Sequence, residues 1–209
     1  MTRDDAFSGS RLNVCACVTA IVAKTRYFAS SRHSGCRLLS PLVCVCRSDM
    51  TRIALDNASG ARAVATLDGD GDLVELRDMP SIEETVGRRA TNATLLVSLR
   101  ARAHASVAFC EWVSARPIDA KTAAFSFGRA RGVIEGSTAA LGLPIAFLTP
   151  PTWKRLAAIP AGVENKDQAR ARAIAKWPSM AELFARKKDI DRAEAALIGW
   201  AGLQMERRL

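Results

Sequence analysis

The residues after position 49 predict an α/β fold. An opening meander of short β-rich runs is joined by the turn Asp68-Gly-Asp-Gly-Asp72. Beyond it, apolar runs of strand length alternate with helical stretches. A change of character at Met50, where a Ser, Arg and Cys patchwork gives way to MTRIALDNASG, sets the start of that region.

The chain has 209 residues, a net charge of +9, a pI near 9.7 and a hydrophobic fraction of 49%. That length supports one ordinary domain with an appendage. The positive balance favours an anionic partner, most simply nucleic acid. The excess is uneven: residues 1–49 carry seven Lys/Arg against three Asp/Glu, and residues 50–209 carry 23 against 18. Any basic groove in the main body must therefore come from local clustering. Five of the six cysteines (Cys15, Cys17, Cys36, Cys44 and Cys46) also lie in the first 49 residues. Their Cys-x-Cys spacing, with only His33 nearby, does not suit the common zinc fingers. The apolar run at 12–23 is short for a membrane span, and Asp4 and Asp5 spoil a basic leader. The functional protein is expected to begin at Met50, with residues 1–49 a disordered extension or a non-native upstream segment. No membrane role is expected.

Within the body, Arg52–Asp56 reads as a short strand, and 61–67 and 73–77 as a hairpin about the Asp-Gly-Asp-Gly-Asp turn. That turn lacks the later Gly and the twelfth-position Glu of a calcium loop, so it is read as solvated. Ser81 followed by Glu84 has the form of a capping box and predicts a helix from 81 towards Ala103. Ser106–Glu111 is a buried strand. Asp119 is expected to cap a helix running to about Leu141 and ending near Gly142. Pro144–Leu148 is a strand, Pro150 opens a short helix, and 165–176 is a basic amphipathic helix stopped by Trp177-Pro178. The last helix covers 189–207, with Asp189 at its N-cap. Gly128, Gly132 and Gly136, four apart in FSFGRARGVIEG, predict a helix packed closely on the sheet or on a partner subunit.

Four acids stand where burial alone would not put them. Asp56 ends the run Ile53-Ala54-Leu55 and precedes a small-residue turn, as a turn cap or as a carboxylate at a strand mouth. Glu111 ends Val107-Ala108-Phe109-Cys110. In that setting it is costly unless paired, metal-bound or facing water at a sheet edge. Asp191 and Glu194 are spaced i, i+3, so they share a helix face and can hold one ion, though acids early in a helix also favour its dipole. Carboxylate oxygens converging on a point suit Mg²⁺ or Mn²⁺. Trp153, Lys154, Arg155, Lys166 and Arg170, with Arg172, form the candidate phosphate-contacting set, in which Trp153 could stack on a base or lie in the core. Cys110 reads as a small core residue. No Gly-rich nucleotide loop is present, so no nucleotide cofactor is expected.

In order, these segments resemble the RuvC-type Holliday-junction resolvases, most of all their phage- and prophage-borne relatives. The resemblance covers roughly 52–203. Its most specific stretches are FCEWVSARP, FSFGRARGV and GLPIAFLTPPTWK, followed by the terminal DxxEA. It implies a ribonuclease H-like mixed five-stranded sheet flanked by helices, a homodimer, and branched DNA as partner in the cytoplasm of a bacterial or phage-infected cell. It also implies two Mg²⁺ ions per active site (Mn²⁺ substituting) at Asp56, Glu111, Asp191 and Glu194. The implied activity is cleavage of four-way junctions by two-metal phosphodiester hydrolysis. A looser branched-DNA or flap nuclease and a silent DNA-binding accessory protein are the alternatives. Three departures stand out: Asp56-Asn57-Ala58 replaces the family's Asp-Pro-Gly, Glu194 replaces the usual final Asp, and Trp112-Val113-Ser114-Ala115 occupies the segment that carries the junction-wedging aromatic.

Overall fold

The computed structural model describes residues 51–56, 63–86, 88–160 and 167–208. The expected extension at 1–49, the turn after Asp56 and Lys166 lie outside them.

Three strands open the fold: β1 (Thr51–Leu55), β2 (Ala63–Leu67) and β3 (Leu73–Asp78). β1 and β2 pair antiparallel with Ala54 opposite Ala65, and β2 pairs antiparallel with β3. The turn between β2 and β3 is held from inside. Asp68 Oδ1 accepts from the N–H groups of Asp70, Gly71 and Asp72 at 2.8–2.9 Å, and Gly71 takes the positive φ of 92°.

A second hairpin follows, of β4 (Ser81–Thr85) and β5 (Arg88–Thr91). The expected helix from Ser81 is therefore corrected: α1 covers only Ala93–Ala103. Ser81 and Glu84 have capping-box spacing, but β-branched Thr85 and Val86 and then Gly87 disfavour a continuing helix. Glu84 pairs with Arg129 instead of capping. The hairpin closes where Asn92 N–H donates to Pro80 O at 2.9 Å, and the Asn92 side chain caps α1 by accepting from Leu95 N–H. His104 ends α1 in the left-handed region and is exposed.

β6 (Ala105–Glu111), α2 (Lys121–Ala140), β7 (Ile145–Leu148) and α3 (Pro150–Leu156) alternate as the pattern requires. Asp119 does not cap α2; its carboxylate takes the Arg116 guanidinium and backbone N–H, and Ala120 holds the N-cap position. α4 (Asp167–Lys176) ends at Trp177-Pro178 as expected, two 3-10 turns follow (Pro178–Phe184 and Lys187–Asp189), and α5 (Ile190–Glu206) closes the chain. Among the described residues no helix is long and apolar enough to cross a membrane.

The sheet is mixed and five-stranded, ordered β3-β2-β1-β6-β7, with β1–β6 and β6–β7 parallel. β1 and β2 are buried on both faces, so their side chains alternate between two cores. Ile53, Leu55, Val64, Ala108 and Cys110 meet Leu96 and Leu99 of α1 and Ile134 of α2. Ala54, Ala65, Leu67, Phe109 and Leu148 meet α5, α4, Trp153, Trp177 and Phe184. On the first face Arg100 is buried and bonds Ile134 O, Ser137 and Thr138, fastening α1 to α2. Burial lowers its pKa to about 10, still charged at neutral pH.

The close helix–sheet contact is not at the predicted stripe. A Cβ on Gly128, Gly132 or Gly136 would meet nothing within 4 Å, which excludes the sheet as their reason. The tight glycines are Gly199 and Gly202 of α5. A Cβ there would sit 2.3 Å from Leu67 Cδ1 and 2.3 Å from Phe109 Cγ respectively. Gly202→Ala is expected to destabilise the fold by about 1–3 kcal/mol through overpacking. Chemical denaturation should show this as a lower midpoint with unchanged slope.

Candidate metal centre

Strand register sets the site. β1 and β6 run parallel with Ala54 opposite Phe109 and Leu55 opposite Cys110. Continued by one residue, that register sets Asp56 beside Glu111 at the carboxyl ends of both strands. Side chains alternate along a strand. Leu55 and Cys110 face α1 and α2, so Asp56 and Glu111 face the layer of α5, as Ala54 and Phe109 do. Both acids are buried, Asp56 fully and Glu111 to 6% exposure.

α5 crosses that face and carries its own acids in its first turns. Oxygens of Asp56, Asp191 and Glu194 all lie within 4.8 Å of one another. At that spacing two carboxylate charges repel by roughly 3 kcal/mol at an effective dielectric near 20, before solvent screening. A divalent cation among them converts that repulsion into attraction. The donors are hard oxygens with no His or Cys, which fits Mg²⁺ or Mn²⁺ and not zinc. Three of the four expected acids are thus brought together from segments more than a hundred residues apart.

Glu111, the fourth, is not part of that cluster. Its Oε1 accepts from the indole Nε1–H of Trp153 at 2.8 Å. Burial pushes its pKa above the usual 4.5, against the Trp153 hydrogen bond and the nearby Lys154 charge, which both pull it down.

An ionic network fixes the start of α5. Arg186 N–H and guanidinium bond the buried Asp189 carboxylate. Asp189 does occupy the N-cap of α5, but its side chain turns back to Arg186 and caps nothing in α5. Arg192 makes a bidentate pair with Asp78 at 2.7 and 2.8 Å. The hydrogen bonds from these guanidiniums hold Asp78 and Asp189 below the usual carboxylate range. This network flanks Asp191 on both sides in sequence and ties its helix to the end of β3.

The candidate DNA-contacting set divides. Trp153 is corrected: it is fully buried, with its one polar atom bonded to Glu111, so it cannot stack on a base. Arg170 is also spent within the chain, on Phe184 O, Ala185 O and Asp167. Arg172 donates to Ala157 O. Lys154 and Arg155 remain exposed, and the Lys154 charge acts on Glu111. Trp112, in the place of the expected wedge, alternates away from the site. It packs edge-on against Phe147 with the Arg131 guanidinium 3.9 Å over its ring.

No family model matches the chain, and no curated protein is similar to it in sequence. Solved structures do match. One is T. thermophilus RuvC in complex with a Holliday junction substrate, with TM-score 0.55 and 12% identity over 76% of this chain and 96% of that one. Another is a Thermus thermophilus RuvC structure, with TM-score 0.50 and 13% identity over 76% and 97%. This chain has the RuvC fold. At such identity the likeness is one of backbone, and it agrees with the mixed five-stranded sheet that the family resemblance implied.

Sequence reasoning missed Trp153 as a partner of Glu111 and Asp78 as an anchor of α5. A Trp three residues after a strand-ending Thr-Pro was a signal for the first. Nothing local pointed to the second. One consequence is pH-dependent. Glu111 has a raised folded pKa, so the fold favours its protonated form. That contribution is intact below its unfolded value and is lost as pH rises through the raised one. In EDTA, Glu111→Gln should match the wild type near pH 4 and unfold at a higher temperature at pH 7–8, as read by thermal melts across pH.

Proposed function

We propose that this protein is a metal-dependent, structure-selective DNA endonuclease that cuts four-way junctions. The observation that carries the reading is the gathering of Asp56, Asp191 and Glu194 at the carboxyl end of the central strands, with Glu111 beside them, on the RuvC fold. The neighbouring RuvC structure holds a Holliday junction substrate, which favours branched DNA as the partner of this chain as well.

In this reading Asp56, Asp191 and Glu194 hold one Mg²⁺, and Asp56 with Glu111 a second. Bound there, such ions supply a water nucleophile at neutral pH and charge stabilisation at the attacking and leaving oxygens. The chain's own residues do the rest. α5 keeps its two acids on one face through their i, i+3 spacing. Burial of Asp56 and Glu111 keeps bulk water from competing for their oxygens. Exposed Lys154 and Arg155 bind phosphate oxygens next to the cut and offset charge developing there.

A junction has two strands to cut, and a two-fold dimer presents two such centres. The exposed face of α2, with Phe125 72% exposed and Gly128, Gly132 and Gly136 open to solvent, supports dimerisation through that helix. Gly132→Leu should leave the monomer at least as stable, because nothing occupies the space, and should convert a dimer to a monomer by light scattering. A dimer that survives this substitution places the interface elsewhere.

The test of activity is cleavage of a labelled four-way junction against linear duplex and flap, with Mg²⁺ or with EDTA. Paired, Mg²⁺-dependent nicks on the junction alone are expected. Asp56→Asn should lower the rate by at least about a hundredfold while junction binding in EDTA persists, since the basic contacts survive. Equal cutting of flaps would make this a general branched-DNA nuclease. Binding without cutting would make it an accessory protein.

A further inference from the structure

Trp153 is buried to 0% exposure. It is also the hydrogen-bond donor to Glu111. The backbone around it leaves it little freedom. β7 ends at Leu148, which pairs with Glu111 across the sheet and whose carbonyl accepts from Trp112 N–H at 2.8 Å. Thr149 then holds the N-cap position of α3 without a side-chain cap, and Pro150 and Pro151 fill the first positions of that helix. With φ fixed at both prolines, the first turn is preset. Trp153 N–H bonds Thr149 O at 3.1 Å, which sets the Trp one turn above the end of β7, its ring in the core beneath α5.

The chemistry of the donor matters. A buried carboxylate needs hydrogen bonds to stay ionised, and most buried acids obtain them from Arg or Lys. Elsewhere in this fold the buried Asp189 does so, taking the Arg186 guanidinium. Such a partner neutralises the charge that a divalent ion requires. An indole N–H is a donor with no net charge. It fixes one oxygen of Glu111 and brings no positive charge that would compete with a cation.

We propose that Trp153 is a positioning residue that orients the Glu111 carboxylate for a divalent cation, with no contact to DNA. This deepens, and rests on, the reading of the acidic cluster as a metal centre. It departs from the reading of Trp153 as a base-stacking residue.

The test uses the full chain and Mn²⁺ as probe. Isothermal titration should give Mn²⁺ binding by the wild type. Trp153→Phe should weaken the Glu111-dependent site by roughly ten- to a hundredfold, the usual cost of removing the hydrogen-bonding partner of a ligand. Glu111→Gln should weaken it too, and the double variant should be no weaker than Glu111→Gln alone, because both changes remove one interaction. Junction binding in EDTA should be the same in Trp153→Phe as in the wild type. A second readout needs no core substitution at 153. In wild-type protein labelled with ¹⁵N-indole, Mg²⁺ should shift the Trp153 Nε1–H resonance, and Glu111→Gln should move that resonance and abolish its response.

Several outcomes overturn the proposal. One is additive losses in the double variant. Another is a Trp153 resonance indifferent to Glu111→Gln. A third is Mn²⁺ affinity retained in Trp153→Phe while lost in Glu111→Gln. Weakened junction binding by Trp153→Phe at unchanged Mn²⁺ affinity restores the stacking role. If wild type and Glu111→Gln bind no Mn²⁺ at all, the metal-centre reading itself falls and this proposal with it.

Discussion

The parallel pairing of β1 with β6 is the constraint on which the site depends. Parallel strands put their carboxyl ends at the same edge of the sheet, and their register decides which side chains sit abreast. Here Leu55 stands opposite Cys110, so the next residues on both strands are acids facing the same layer. A slip of one residue would turn one of them into the opposite core, against Leu96 and Ile134. The apolar alternation that packs Ile53 and Leu55 on one side and Ala54 on the other is thus also what aims Asp56. Packing and chemistry are specified by one pattern.

The second requirement is that α5 lie close enough to bring Asp191 and Glu194 to that edge. Helices normally pack on sheets at a distance set by their side chains. Gly199 and Gly202 remove those side chains where Leu67 and Phe109 press upward. Two helical glycines cost about 1 kcal/mol each in propensity, which the packing against Leu67 and Phe109 offsets. Register along the helix axis comes from the other end. The bidentate Arg192–Asp78 pair and the Arg186–Asp189 turn hold the first turn of α5. The partly buried Arg52–Glu206 pair at 3.1 Å holds the last. Between these clamps the acids have little room to move apart, although their charges push them to do so.

Much of this was legible in the chain. The sheet strands announced themselves as apolar runs of four to seven residues, and the acids as the charged residues ending two of those runs. Glu111 in VAFCEWV is conspicuous because only a specific partner makes it tolerable. What could not be read was set by tertiary context. Ser81 and Glu84 carry helix-cap spacing, yet the segment pairs as a hairpin whose Glu84 meets Arg129 of α2, 45 residues away. Arg170 looked like a surface cation on a basic helix. Its acceptors are backbone carbonyls at Phe184 and Ala185, which no periodicity reveals. Trp153 sits in a helix of seven residues, too short for a hydrophobic period to say which side is inward.

The electrostatic layout explains why a basic chain can keep an acidic centre. Many of its guanidiniums are committed to named acceptors away from the cluster: Arg77 to Glu75, Arg116 to Asp119, Arg129 to Glu84, Arg131 to Glu135. Those pairs are surface contacts of small individual worth. Glu111 is bonded by a neutral indole, and the exposed Lys154 carries its ammonium 5.4 Å from the centre of that ring. Negative charge is thereby concentrated at one edge of the sheet, with positive charge at its rim. A polyanion approaching that edge would be held by the rim and repelled by the centre, unless divalent ions lay between them. Under the proposed function, DNA binding would therefore survive removal of the metal, and the phosphate chemistry would not.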